Sequence, residues 1–338
     1  MKKKYIWVLV FFLSCISCKE KNKNEFMTGI KDIKGEIMEV DCLIGKPYGL
    51  TFYDALLFVY DLYEGNALTV IDTRISQCKN RVLSIGQGPG EVVGALRLSV
   101  SPQQKKLYVF QIQSGRFNSY EIRGEELAFQ ESVHISERPA NVVAVQDAFI
   151  GIGPFERGRY HVYNKQGTQK DEVGAYPFDG EEMNVQSRFF LYQGYLCSQP
   201  DGTHFALGSS YSDNLEFYGI QENKVKLLKK YGFREVKAKF DETIQLDNDC
   251  LLGYKDSFGT ERYCYMLYSG KTYSENNYQK YGAAHIFVFE WDGTFVQSYR
   301  FDKDVLAFCV DDPNKVFYGI VLENEYVIMK FEMDENNN

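Results

Sequence analysis

The chain is poor in the residues on which metal sites and hydrolytic sites are usually built. Its 338 residues include only four histidines, and no HxH or HExxH pair occurs among them. There is no Gly-x-Ser-x-Gly sequence of the kind that positions a nucleophilic serine, and the six cysteines after Cys18 include no CxxC pair for zinc or redox chemistry. We therefore predict no catalytic residue, no metal site and no cofactor.

Proline is also scarce, at 8 residues, and no low-complexity tract is present, which argues against long disordered regions. Aromatic residues are abundant instead, with 25 Tyr and 25 Phe, and they favour β-strands. The net charge is −8, although the first 17 residues carry three lysines and no acid. An acidic protein repels phosphate backbones, so we expect no nucleic-acid partner.

Long hydrophobic runs are absent except at the N-terminus, where nine apolar residues, 5–13, follow Lys2–Lys4. A run of nine is too short to span a bilayer, which takes about 20 residues, but it is typical of a signal peptide. The next residues, Ser-Cys-Ile-Ser-Cys, resemble a bacterial lipobox. We predict a signal peptide over residues 1–17 and lipidation of Cys18, with Cys15 as the alternative site. An ordinary secretion signal with incidental cysteines is the competing interpretation.

Lipidation would make the mature protein an exported, lipid-anchored protein of the bacterial cell envelope. We favour the outer membrane, and leave open whether the protein faces the periplasm or the cell surface. The residues after Cys18 are polar and of mixed charge and cannot bury apolar area, so a flexible tether is expected over residues 18–34.

From residue 35 to residue 338 the chain consists of short alternating runs separated by turns, which indicates antiparallel β-structure. No segment after the signal peptide shows helical periodicity. Two strings repeat internally: residues 162–168 match 288–294 around a Gly-Thr turn, and residues 101–108 match 312–318 around a proline. This self-similarity predicts an all-β, six-bladed β-propeller with four-stranded antiparallel blades. The predicted blades span residues 48–90, 94–133, 140–176, 188–238, 247–302 and 305–334.

One strand, Gly35–Asp41, is left over from this count. We expect it to pair with the last blade around Tyr326–Phe331, because closing the ring in this way removes an open sheet edge. The body also contains six widely spaced cysteines, which are expected to be mostly buried free thiols, although export permits disulfides. They are Cys42, Cys78, Cys197, Cys250, Cys264 and Cys309.

The most distinctive string is Ile85-Gly-Gln-Gly-Pro-Gly-Glu91. Together with the lipobox and the blade pattern, it resembles the TolB-like six-bladed propeller lipoproteins of bacteria, in which such a loop joins two blades. The resemblance covers nearly all of the mature chain and implies fold and cellular address rather than an activity. A phosphate cradle at Gly86, Gly88 and Gly90 is disfavoured, because Pro89 lacks an N–H donor and Glu91 adds a repelling charge.

A second distinctive segment, Ser269–Tyr281, is longer than a hairpin turn and carries Tyr273, Tyr278 and Tyr281. Exposed tyrosines suit contact with a protein or a glycan, so these three are the predicted partner contacts. The function predicted is that of a non-catalytic binding or scaffold protein. One alternative is a metal-dependent hydrolase, a lactonase or esterase with its site at the ring centre. Another is a glycan-binding accessory protein of an uptake system.

Overall fold

The computed structural model of the protein describes residues 25–177, 183–222, 224–232, 234–240, 244–276 and 282–333. The predicted signal peptide, with Cys15 and Cys18, lies outside this range, as do Tyr278 and Tyr281. Within it, no helix has both the length and the apolar character needed to cross a bilayer.

Six antiparallel blades surround a central axis, and each blade is built from the inside outwards. Two short strands precede them, β1 (Lys31–Ile33) and β2 (Gly35–Ile37). Blades one to three contain β3 (Gly49–Tyr53), β4 (Leu56–Tyr63), β5 (Asn66–Asp72), β6 (Gln77–Ser84), β7 (Leu96–Ser101), β8 (Lys106–Gln111), β9 (Arg116–Arg123), β10 (Glu126–His134), β11 (Asn141–Val145), β12 (Ala148–Ile152), β13 (Tyr160–Asn164) and β14 (Gln169–Val173).

The second half of the chain begins with helix α1 (Val185–Tyr192) and includes a separate two-stranded hairpin between blades four and five. Its strands are β15 (Gly194–Ser198), β16 (His204–Ser209), β17 (Leu215–Gln221), β18 (Lys224–Tyr231), the hairpin strands β19 (Ala238–Phe240) and β20 (Ile244–Leu246), then β21 (Tyr254–Gly259), β22 (Tyr263–Tyr268), β23 (Ala283–Glu290), β24 (Phe295–Val305), β25 (Ala307–Asp311), β26 (Val316–Leu322) and β27 (Tyr326–Glu332).

The prediction of a six-bladed propeller is confirmed, and each predicted blade span overlaps one observed blade almost completely. The repeated strings occupy equivalent places: the Gly-Thr turns join the third and fourth strands of blades three and five, and the proline turns join the first and second strands of blades two and six. Middle strands are buried on both faces because neighbouring blades cover them. In β4, for example, Leu57, Phe58 and Val59 are all fully buried.

The prediction that the N-terminal strand pairs with the last blade and closes the ring is confirmed. β2 pairs antiparallel with β27, with Gly35 opposite Phe331 and Ile37 opposite Met329. The N–H of Met38 continues the ladder by donating to the carbonyl of Ile328 at 2.8 Å. The last blade therefore takes three strands from the C-terminus and its outermost strand from the N-terminus.

The prediction of a flexible tether through residue 34 is wrong for residues 25–34. Strand β1 adds in parallel to β24 as a fifth strand of blade five, and Ile33 is only 2% exposed. Before it, Phe26 inserts into an aromatic cluster and stacks on Phe295 with ring centroids 4.9 Å apart. The polar composition of residues 25–34 gave no sign of this packing. Two apolar side chains, Phe26 and Ile33, are enough to attach the segment to blade five.

The expectation that the body lacks a helix is also wrong. Helix α1 begins after Asn184, whose side-chain oxygen accepts the N–H of Ser187 at 2.9 Å and so caps the first turn. Only Leu191 and Tyr192 are buried on it. A helix of eight residues that buries one end has no full amphipathic period, so the sequence pattern did not reveal it.

The cysteines divide into two groups. Cys197, Cys250, Cys264 and Cys309 are buried free thiols, as predicted, whereas Cys42 and Cys78 form a disulfide with Cα atoms 6.0 Å apart. Cys42 lies on the connection from β2 to β3, and Cys78 lies on β6. The disulfide therefore joins the chain that leaves the closing strand to the outer strand of blade one.

Candidate functional site

The innermost strands of the six blades enclose a cavity of about 720 Å³ on the ring axis. Pockets for small ligands usually measure about 300–1,000 Å³, so this one could hold a ligand of moderate size. Every blade runs from the inside outwards in the same sense, so all six innermost strands point in the same direction along the axis. The cavity therefore has one mouth where these strands begin and another where they end.

The mouth where the strands end, which we call the acidic mouth, is surrounded by the six turns that join the first two strands of each blade. Each turn places at least one acidic or amide residue on the cavity lining, and the turn of blade four places two. Four are carboxylates and three are amides: Asp54, Gln104, Gln146, Gln199, Asp201, Glu261 and Asp312. Asp312 is held in place by the hydroxyl of Tyr265, which donates to it at 2.7 Å.

The mouth where the strands begin, which we call the cationic mouth, has a different chemistry. Arg97 from blade two and Lys255 from blade five line it. Neither forms an ion pair with any residue that the structure describes. Among the described residues, Arg97 makes one hydrogen bond, a long one of 3.5 Å from Nη1 to the carbonyl of Leu96. Two cations that form no direct ion pair with a described residue thus lie on the lining of one cavity.

Lys255 reaches the cavity because of a β-bulge. In the pairing of β21 with β22, Tyr254 is opposite Tyr268 and Asp256 is opposite Leu267, so Lys255 has no partner residue. A bulge re-aims the side chain of its extra residue and is common beside functional sites. Burial lowers the pKa of the Lys255 ammonium, as expected for a cation partly removed from water without a direct ion pair.

Asp256 and Tyr195 supply acceptor and donor groups to the same region. The Asp256 carboxylate accepts the N–H of Ser257 at 2.9 Å and that of Phe308 at 3.0 Å. Burial raises the pKa of Asp256 to about 6, although the two N–H groups and the charge of Arg97 oppose the rise. Burial likewise raises the pKa of Tyr195 to about 12, so its hydroxyl is protonated and can donate.

Accessory elements stand beside the cationic mouth and nowhere else on this axis in the described chain. They are α1, the hairpin β19–β20 and the turn 269–276, all of which lie on connections at the end where innermost strands begin. A small core holds them together, with Leu191, Tyr192, Val236 and Cys250 buried at its centre. They form a wall on the side of blades four and five, next to Lys255 and Tyr195.

Metal-ligating side chains do not gather in this cavity within the described residues. Among the described His, Cys, Asp and Glu residues, one group of three has its ligand atoms within 4.8 Å of one another, namely Asp41, Cys42 and Cys78. That group lies at the ring closure, and its two thiols are joined in the disulfide.

Comparison with known proteins agrees with this architecture. The family model described as a TolB-like six-bladed propeller matches residues 28–313. The chain belongs to this family. Among solved structures, a Bacteroides fragilis protein inferred to be exported is similar, with a TM-score of 0.57 and 12% identity over 92% of this chain and 96% of that one. A DUF4221 family member from Bacteroides vulgatus has a TM-score of 0.56 and 10% identity over 89% and 98%. No curated protein matches the sequence.

In this TolB-like propeller, the distinctive Gly-rich string forms a tight turn between blades one and two. The N–H of Gly86 donates to the carbonyl of Val92 at 2.9 Å, and the N–H of Gly88 donates to the carboxylate of Glu91 at 2.8 Å. A side chain at Gly86 would collide with that carboxylate and one at Gly88 would be in tight contact with it, whereas Gly90 has a left-handed φ of +75°. Glycines and glutamate thus build one turn together, with Pro89 between them.

The remaining predicted site residues are placed as follows. Cys18 and Cys15, the predicted lipidation sites, and Tyr278 and Tyr281 lie outside the described residues. Tyr273 is half-buried and packs on the small core of the accessory wall, and its N–H donates to the carbonyl of Cys250 at 2.8 Å. The ring of Tyr273 is therefore less exposed than its loop suggested.

The TolB-like blade pattern gave no direct sign of the cavity residues. Arg97, Tyr195, Lys255 and Asp256 come from three blades and are separated by long stretches of sequence. The feature of the sequence that could have identified them is their shared position, near the start of the innermost strand of each blade. Aligning the repeats on that strand would have brought these four residues together.

Proposed function

We propose that this TolB-like propeller is a non-catalytic binding protein whose ligand site is the cationic mouth of the central cavity. One observation carries the proposal: Lys255, half-buried in the cavity on a bulge, forms no ion pair with a described residue. Removing a cation from water without a directly paired anion is costly, and an anion supplied by a ligand would reduce that cost. The accessory wall also favours the cationic mouth as the ligand site, because it enlarges the protein surface beside that mouth.

The test compares three forms of the full chain, purified in detergent. The cavity variant is Arg97→Gln/Lys255→Gln. The control variant, Arg116→Gln/Lys226→Gln, removes the same charge from exposed positions on β9 and β18 that do not line the cavity. Each form is incubated with the low-molecular-mass fraction of an envelope extract, and retained compounds are identified by mass spectrometry.

We expect compounds that wild type and control retain and that the cavity variant loses. Equal retention by all three forms would contradict the proposal. The metal-dependent hydrolase would be supported instead if a retained compound were returned as its hydrolysis product and chelation by EDTA stopped the conversion.

We also propose that the protein is exported and held in the cell envelope by a lipid on Cys18. The lipobox-like sequence supports the anchor, and the fold shared with a protein inferred to be exported is consistent with it. Labelling cells with a palmitate analogue tests it: Cys18→Ser should lose the label and leave the membrane fraction, whereas Cys15→Ser should keep both. The reverse result would assign the lipid to Cys15.

A further inference from the structure

The charges around the cavity restrict what the cationic mouth can bind, and this inference rests on the proposed function. Two cations, Arg97 and Lys255, face one nearby carboxylate, Asp256. The opposite mouth adds four more acidic side chains and no cation to the lining. Binding of a ligand with a single negative charge at the cationic mouth is therefore electrostatically favourable. A polyanion, or an extended acidic chain threaded along the axis, would be repelled by the acidic mouth.

The groups beside the two cations are suited to hydroxyls. Asp256 uses its two backbone hydrogen bonds to fix its carboxylate, and a carboxylate has further lone pairs for donors from a ligand. The hydroxyl of Tyr195 makes no hydrogen bond with a described residue. It lies close enough to Asp256 and Arg97 for both charges to affect its pKa. A ligand that carries hydroxyl groups next to its anion would satisfy both residues.

Aromatic surface completes the lining at this mouth. Tyr48 is 52% exposed, and its ring lies 5.2 Å, centroid to centroid, from that of Tyr60. The hydroxyl of Tyr60 is directed away, to the carbonyl of Gly94 at 3.1 Å. The ammonium of Lys46 lies 5.6 Å from the centroid of the Tyr48 ring. An exposed tyrosine ring on the lining suits the C–H face of a sugar ring.

From these three observations we propose that the ligand is an acidic sugar, a monosaccharide or chain end with one carboxylate. The guanidinium of Arg97 binds the carboxylate, which it can do in a bidentate manner, and Lys255 adds a point charge. Asp256 and Tyr195 bind hydroxyls, and Tyr48 covers one face of the ring. The size of the cavity accommodates one or two sugar units rather than a polymer.

The experiment is titration calorimetry on the full chain in detergent at pH 7.5 and low salt. The probes are glucuronate and galacturonate, their neutral parents glucose and galactose, and glucose 6-phosphate as a dianion of similar size. We expect at least one uronate to bind about tenfold or more tightly than its parent, and more tightly than the phosphate. Arg97→Gln should weaken that uronate about tenfold or more, and Arg97→Lys should recover part of the loss, with melting temperatures unchanged.

Other outcomes separate this inference from the function on which it rests. Equal binding of uronate and parent, or tighter binding of the phosphate, would overturn the acidic sugar. The same holds if no probe binds while the cavity variant still loses its envelope compound, and in that case the cationic mouth remains a binding site for another anion. If no probe binds and the cavity variant retains what wild type retains, both proposals fail.

Discussion

Arg159 and Glu216 form an ion pair between blades three and four, with Nη1 and Oε2 3.0 Å apart and both side chains only 2% exposed. Glu216 also accepts the hydroxyl of Tyr160 at 2.6 Å and pairs with Lys230 at 3.1 Å. Burial alone would raise the pKa of Glu216, but these partners outweigh it, so the pKa lies below its ordinary value.

Breaking this pair on one side should be costly. Arg159→Met leaves Glu216 buried with less compensation, and we expect a loss of about 3–5 kcal/mol in the free energy of unfolding, measured by urea denaturation. Arg159→Met/Glu216→Gln should recover much of it, because the buried carboxylate is gone and the Lys230 side chain, which loses its ion pair with Glu216, is 22% exposed. A double variant as unstable as the sum of the two single ones would show that the ions do not interact energetically.

The disulfide between Cys42 and Cys78 should stabilise the ring closure. It encloses a loop of 36 residues in sequence, for which loop-closure entropy gives a stabilisation of at most about 4 kcal/mol. Cys42→Ser/Cys78→Ser should lower the melting temperature, and adding a reductant to wild type should reproduce that lower value. Cys250→Ala, which removes a buried free thiol, should leave the response to reductant as in wild type. A melting temperature that is independent of reductant would contradict a stabilising role.

Phe26 should contribute to stability although it precedes the propeller blades in sequence. It is 4% exposed and contacts the rings of Tyr231, Phe287, Phe289 and Phe295. Phe26→Ala should cost about 3–5 kcal/mol in unfolding free energy. The matched control is Ile37→Ala on β2, where the side chain is 50% exposed and the cost should be well below that of Phe26→Ala. Equal costs would indicate that Phe26 is not held in the cluster.

Gly90 should tolerate a side chain poorly. Its φ of +75° is in the left-handed region, and an added Cβ would lie 2.9 Å from the Phe129 side chain. Gly90→Ala should therefore cost about 1–3 kcal/mol. Gly49→Ala serves as the control, since a Cβ there meets no atom within 4 Å and φ is ordinary. A Gly90→Ala protein as stable as the control would show that the turn can adopt another backbone conformation.

Asp256 should make stability depend on pH in an identifiable window. Its pKa of about 6 exceeds that of an unfolded aspartate, so its stabilising contribution is complete at low pH and is lost as pH rises through 6. Relative to wild type, Asp256→Asn should consequently become more stable between pH 5 and pH 7.5 by about 1.4 kcal/mol, because about one pH unit separates pH 5 from the pKa of Asp256. The charged or titratable groups around Asp256 are Arg97, Tyr195, Lys255 and Cys309.

His204 and His285 titrate near the same window with the opposite sign. Burial lowers both pKa values, so their contribution is lost as pH falls. They are unchanged in Asp256→Asn, so the difference between the two proteins isolates Asp256. A difference that is constant from pH 5 to pH 7.5 would contradict the raised pKa.

The sequence predicted the blades well because each blade repeats the same alternation of apolar residues and turns. It also predicted the closing strand, since Glu36 lies in an alternating segment without a neighbour in its own part of the chain. It did not predict the role of Phe26, because a single aromatic side chain in a polar segment produces no periodicity. The bulge at Lys255 was equally invisible, because it depends on the register of β21 against β22 rather than on either strand alone.

The pairing of β2 with β27 also has a consequence for the order of folding. Strand β2 is one of the first two described strands to be made and β27 is the last, so ring closure must wait until the chain has been made as far as β27. Contacts between such distant residues form slowly, because the entropy of a very long loop is lost before they are gained. Until then the edges of blade six stay open, and the protein is most exposed to wrong strand pairing just before it is finished.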